Sequence, residues 1–467
     1  MWLTLFTVPA AGAVYHLSPD GDDSNPGTLQ KPWRTPHHAA ARVNAGDTVL
    51  FHPGTYLLER CLDLSCAGRP DAWITFAAAA GEPAILDAHE VRPTDLRQAS
   101  SRGAVALRGA SYVRLENLHV VNSYHFGILI QQPSHHIDIL RCRVDKTFGP
   151  GIGAWNCEDL RVAGCEVTGA NTQQMRLYGD PRRECPHEAI SIAGVNRFEV
   201  AWNQVHHCEK EGIDVKEVSR HGLVHHNWVH HLPRQGLYAD AWFGLLEDVE
   251  FASNVVHHCE WGFVVSVEGR DSELRNVRAH HNILHHNRAS GIYFGTWGAN
   301  GPRSQILLTH NTLYANGRAQ HWAGRTGNID LRSPNARQVH ITRNLCARGG
   351  AFEIATFADP ATEPARLHTQ EIRIAQNLLE ALRDEPGEPG PYGRLFVTAG
   401  SEPVIGDPRL RDPERGDFRL LPDSPAAPLD LGALARGADR LPAVKALLQG
   451  FPNFVPQAPD WPACLQP

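Results

Sequence analysis

The sequence holds ten cysteines but no C-x-x-C pair, which excludes a zinc ribbon or a thioredoxin-type redox site. It also lacks a basic excess: 44 Lys and Arg stand against 51 Asp and Glu, a formal charge of -7. Nucleic acid is thereby excluded as a partner, and a neutral or cationic ligand is easier to accommodate. No segment beyond the N-terminus is long and apolar enough to span a membrane. The opening stretch, residues 1–13, is apolar and ends in small residues without a basic start. It reads as a clipped or remodelled leader, so a secreted or periplasmic protein is expected.

What the chain does contain is a repeat. Stretches that open on a small residue and continue apolar-x-apolar recur as "GILIQQP" (127), "GIGAWNC" (151), "AISIAGV" (189), "GIDVKEV" (212), "GLYADAW" (236), "GFVVSVE" (262), "GIYFGTW" (291) and "NIDLRSP" (328). Between them runs a second series with a marker column: Asn117, Cys142, Cys165, Asn203, Asn227, Asn254, Asn282, Asn311, Asn344 and Asn377. Apolar and polar residues alternate in both series, which is the period of a strand with one buried face and not of a helix. Short strands of constant phase, separated by corners rich in Asn, Gly and His, stack coil on coil rather than forming hairpins. The predicted fold is therefore all-β, a right-handed parallel β-helix (a solenoid) over residues 14–380, with irregular final coils and a tail over 381–467. "TPHHAAARV" (35–43) is predicted to be a short N-terminal capping helix. An inward Asn at each corner can bond the turn backbone and the Asn of the next coil. Cys142 with Cys165, and Cys208 with Cys259, read as packed thiols at matched repeat positions, whereas Cys61 and Cys66 are near enough in sequence to bridge.

The opening "YHLSPDGDDSNPGTLQKPWRTPHHAA" and "VNAGDTVLFHPGTY", the Asn column and the closing "GDPRL" and "GDFRLLPDSPA" resemble the pectate-lyase-like right-handed β-helix superfamily of carbohydrate-active proteins. The resemblance implies the fold and a polysaccharide or oligosaccharide substrate. It leaves the reaction open, because lyases, hydrolases and non-catalytic binding proteins share the scaffold.

Counted from the Gly of each strand, positions 2 and 4 are apolar and face the core, so positions 3, 5 and 7 face outward. That row holds Asp214 and Lys216 on one coil, Tyr238, Asp240 and Trp242 on the next, Ser266 and Glu268 on the third, and Tyr293 and Trp297 on the fourth. Trp155, two coils before Lys216, extends the face. Lys216 is expected to keep its column neighbour Asp240 ionised as base or nucleophile, and Trp242 and Trp297 to desolvate Glu268 as proton donor. Asp214 and Lys216 act as tuners, and the aromatic residues offer stacking surfaces for sugar. "GLYADAW" resembles β-helix glycoside hydrolases such as the β-xylosidases, except that Ser266 stands where an acid is expected. "EGIDVKE" partly resembles the acidic-x-x-x-x-Lys pattern of β-helix lyases, which would make Lys216 the base and place Glu211, Asp214 or Glu217 near Ca²⁺. A hydrolase without cofactor is the leading expectation, a Ca²⁺-dependent polysaccharide lyase the second and a non-catalytic carbohydrate-binding solenoid the third. The protein is expected to act as a monomer.

The insertion "NTQQMRLYGDPRRECPHE" (171–188), with Arg176, Arg182 and Glu188, is expected to wall the cleft. Six adjacent His pairs recur at the turns with the repeat itself, which favours stacked corner packing over a zinc or copper site.

Overall fold

The computed structural model describes residues 12–81, 83–319, 321, 325–356, 371–381 and 403–434. The leader expected at 1–13 and the tail expected beyond 381 therefore lie largely outside the described residues. Three parallel sheets of 13, 11 and 13 strands run the length of the molecule, and successive strands of each sheet come from successive coils. The first sheet opens with Val14–Leu17, the second with Leu62–Asp63 and the third with Gly54–Leu57. The chain is a right-handed parallel β-helix, the only hand that such strand crossovers commonly take.

The period-2 pattern sets the register. Ile213, Leu237, Phe263 and Ile292 stack in one column and Val215, Ala239, Val265 and Phe294 in the next. All eight are buried in one continuous core, each large side chain contributing roughly 1.5–3 kcal/mol. The helix Pro36–Ala40 covers the open N-terminal end, with Thr35 capping it through a bond from His38 N and with Pro36 and Ala39 buried. Near the other end, the antiparallel pair Leu410–Asp412 and Asp417–Leu420 lays Phe418 against Tyr314 on the third sheet's outer side. All nine described cysteines are free thiols, so Cys61 and Cys66 form no bridge.

The Asn column runs from Asn203 to Asn377. In each step the amide oxygen of the next coil's Asn accepts from both the backbone N and the Nδ2 of the one before, as Asn254 does from Asn227 at 3.0 and 2.9 Å. Each Nδ2 also donates to a first-sheet carbonyl, that of Asn254 to Val224 O at 2.9 Å. Asn117 does not belong to this column. Arg143 pairs with His119, so Leu118 is the residue level with Cys142, and Asn117 is an exposed corner residue at φ 56°. Its short side chain suits that left-handed conformation, which explains an Asn one place early. A second ladder, Asn287–Asn316–Asn328, lines another corner with Nδ2 to Oδ1 distances of 2.8 Å at both steps.

The histidines do stack at corners. His206, His230, His257 and His285 form one column with ring centroids 4.9, 5.1 and 4.8 Å apart, and their chain neighbours form a second. Within each coil the two rings meet Nδ1 to Nδ1 at 2.8 Å.

Candidate active site

The outer face of the second sheet carries the expected columns. Lys216 pairs with Asp240 and Asp240 with Ser266, while Asp214, Tyr238, Val264 and Tyr293 share another row. Trp155 is level with Ala193, which is level with Lys216. Although it points away from the core, this row is not solvated: Asp214 is 1%, Asp240 4%, Tyr238 4% and Lys216 9% exposed, and Glu188 beside it, at the end of the 171–188 insertion, is 5% exposed.

Two segments close down beside it. The insertion 171–188 is pinched at its neck by Asn171 Nδ2, which donates to the carbonyls of Pro186 and His187 at 3.0 Å each. It is tied across the coils by Thr172 to Glu209 at 2.7 Å and by Arg234 to Glu184 at 2.7 Å. The segment 295–301, which carries Trp297, is clamped by the fully buried Arg303. Its guanidinium donates to Val265 O at 3.0 Å, Gly295 O at 2.7 Å and Asn300 Oδ1 at 2.6 Å.

Burial redistributes the charges. Lys216 Nζ donates to Glu188 Oε1 at 3.0 Å and lies 3.9 Å from Asp214 Oδ2. Its partner is thus the last residue of the insertion rather than its column neighbour Asp240. Burial alone would lower the lysine's pKa, but Glu188 and then Asp214 outweigh it and raise it. Burial would likewise raise Glu188, yet Lys216 holds it down to about 2. Asp214 is driven well above the usual carboxylate range by burial and by the charge of Glu188, and neither of its oxygens has a hydrogen-bond partner. Asp240 is also pushed well up, by burial and then by Glu268, which favours its protonated form where the column had suggested an ionised group. Trp242 Nε1 donates to Asp240 Oδ2 at 2.6 Å, leaving Oδ1 without a partner.

Glu268 remains partly exposed and accepts a bond from the Tyr238 hydroxyl at Oε1. The two indoles expected to press on it have other engagements. Trp242 turns to Asp240, and Trp297 packs with Trp261, Tyr293 and Tyr238 at centroid distances of 5.2, 5.3 and 6.4 Å.

Glu268, Trp297 and Trp261 form one side of a cavity of about 300 Å³, and Glu184, Glu209, Pro233, Arg234 and Glu260 line the rest. That volume is at the small end for ligand pockets. Of these, the sequence had singled out only Glu268 and Trp297. The rest of the second-sheet contribution comes from corner residues just ahead of Gly212, Gly236 and Gly262, where "EKE", "PRQ" and "CEW" occupy matched places. Reading that corner as a column of its own would have found them.

Arg176 does not reach the cavity lining. It bonds Gln173 Oε1 and Arg183 O at 2.5 and 2.8 Å and lies over Phe148, holding the insertion together. Arg182 pairs at the surface with Asp180. Trp155 stacks on Phe126 at 5.4 Å and meets His187 edge-on, away from the cavity lining. Of the donors proposed for Ca²⁺, Glu211 is bound by Arg234 Nε at 2.7 Å and Asp214 lies beside the Lys216 ammonium, so two of the three already face a cation. Among the described residues no three His, Cys, Asp or Glu side chains gather as a cation cage requires.

Comparison with known proteins agrees with the architecture. The family described as Pel9A-like, right handed beta helix region matches residues 15–165, and that described as right handed beta helix region matches 103–313. The Bacillus subtilis (strain 168) protein YwoF is 24% identical over 457 residues, covering 90% of this chain and 93% of that protein. The pectate lyase PEL9 of Emericella nidulans is 27% identical over 141 residues, 29% of this chain and 34% of that protein. The crystal structure of pectate lyase Pel9A superposes with a TM-score of 0.47 at 14% identity, covering 72% of this chain and 76% of that one. With its three parallel sheets and matched coils, the chain has the right-handed β-helix architecture that both family models describe.

Proposed function

We propose that the protein is a secreted glycan-cleaving enzyme, a glycoside hydrolase that acts as a monomer with Asp240 and Glu268 as its carboxyl pair. The observation that carries this reading is the contrast between the two groups. Asp240 is buried with its carboxyl pushed well above the usual range, whereas Glu268 opens on a cavity walled by Trp261 and Trp297. Such a division suits glycosidic cleavage, which needs one carboxyl as acid and another as base or nucleophile.

On this reading the Asp240 side chain, which does not itself line the cavity, turns toward it, and Oδ1 gives its proton to the glycosidic oxygen as the bond from that oxygen to C1 breaks. Glu268 either takes a proton from the water whose oxygen bonds C1, or itself bonds C1 and is displaced in a second step by water, whose proton returns to the Asp240 carboxylate. Tyr238 fixes the Glu268 carboxylate through its hydroxyl, and the indoles stack against apolar sugar faces. On this proposal the two carboxyls take the reverse of the roles that the columns suggest.

The second reading, a polysaccharide lyase with Lys216 as base, has the Emericella nidulans pectate lyase in its favour. Against it, an ammonium bonded to Glu188 with Asp214 beside it is held protonated and cannot take a proton from a substrate carbon. Product analysis on a polysaccharide panel separates the readings. A hydrolase yields new reducing ends without the ultraviolet absorbance of an unsaturated sugar, and Glu268→Gln abolishes them. An absorbing product would overturn the hydrolase reading, and no product from any polymer would favour the binding protein.

A further inference from the structure

The cavity has an uneven charge. Glu184, Glu209, Glu260 and Glu268 line it against a single guanidinium, Arg234. That guanidinium is already neutralised twice, by Glu184 and by Glu211, each at 2.7 Å. The other cations nearby are engaged in the same way. Lys210 lies 3.7 Å from both Glu184 and Glu211, Lys216 is bonded to Glu188, and Arg288 is 3.3 Å from Glu260. Arg303, behind the site, is fully buried and spends its guanidinium on backbone carbonyls and Asn300.

We infer that the substrate is a glycan whose sugar units carry no carboxylate, neutral or amino-substituted, and that uronate polymers are turned away from this cavity. A uronate bound here would bring its charge against Glu209 and Glu268, which take hydroxyl donors rather than cations, while the cations around the cavity are already matched to Glu184, Glu188, Glu211 and Glu260. Water would be removed from the acid with nothing to replace it, an arrangement that costs affinity steeply. A neutral sugar loses nothing to the same field, and an ammonium on an amino sugar gains from it. The tryptophans at the mouth suit either, since stacking needs only an apolar ring face. The inference rests on the hydrolase reading for the location of the site, but not for its charge.

The test uses the full chain carrying Asp240→Asn, so that bound oligosaccharides are not consumed and every carboxylate of the cavity lining is kept. Thermal shift and calorimetry are run with xylo-, galacto- and chito-oligosaccharides on one side and oligogalacturonides and oligoguluronates on the other, with Ca²⁺ and with chelator. At least one carboxylate-free set should bind, and the uronates should bind at least about tenfold more weakly in both conditions. Adding Glu184→Gln, which removes one carboxylate from Arg234 and Lys210, should raise uronate affinity, and raised salt should narrow the gap. Uronates binding as tightly as the other sets, or no binding by any carboxylate-free set, would overturn the inference. The two readings are distinguishable: a polyuronate cut to saturated ends would refute the charge argument alone, an unsaturated product, which only a uronate can give, would refute both, and a carboxylate-free oligosaccharide bound but left uncut by the unsubstituted chain would refute the hydrolase alone.

Discussion

At the scale of single residues, the carboxylates make opposite predictions for activity and stability. Asp240→Asn and Glu268→Gln should each lower turnover by about 10²–10⁴-fold while the circular dichroism of the fold is unchanged. Asp214 behaves differently. Its folded pKa is raised, so between the ordinary carboxylate value and that raised value the folded chain holds a proton the unfolded chain has lost. The fold therefore loses stability as pH rises through that window, by on the order of 1 kcal/mol per pH unit. Asp214→Asn removes the penalty and should raise the melting temperature at neutral pH but not at pH values near the ordinary carboxylate pKa. The sequence made the columns legible, because a strict period of two leaves no choice of face for Lys216, Asp240 or Tyr238. It did not reveal their burial, since that depends on the path of the 171–188 insertion, which no period dictates. The true partner of Lys216 comes from the end of that same insertion.

Among elements, the asparagine ladder is the most exposed to test. Asn254 accepts two bonds from Asn227 and donates to Val224 O and Asn282 Oδ1. Asn254→Ala strands a buried backbone donor and a carbonyl, so a loss of about 2–4 kcal/mol in denaturant unfolding is expected. Asn117→Gly, at an exposed corner with positive φ, should change stability by less than about 0.5 kcal/mol. The two positions look alike in the sequence, and only strand register tells them apart. Corner residues such as Trp261 and Arg234 escaped for a related reason. They fall where the strand alternation stops, so inward and outward parity no longer says which side they take.

For the molecule as a whole, the stacked imidazoles set an acid limit. His230 is driven down to about 2 and His257 to about 3, by burial first and then by neighbouring imidazoles. Within each pair one Nδ1 donates and the other accepts, so a second proton removes the acceptor. A lowered histidine pKa means that below the ordinary value the unfolded chain binds protons the folded chain refuses. Stability should therefore fall as pH drops from about 6.5, with several protons taken up on unfolding, measurable as the slope of unfolding free energy against pH. A flat profile down to the carboxylate range would contradict the neutral stack.

The proposed chemistry draws its groups from consecutive coils, 212–217, 236–242, 261–268 and 292–297, and from the single insertion folded over them. Lengthening or shortening the solenoid at either tip leaves that neighbourhood untouched. Splicing one extra turn between Asp240 and Glu268 would leave every ladder continuous yet separate the two carboxyls by another strand spacing. The proposed chemistry thus depends on adjacency, whereas folding depends only on repetition.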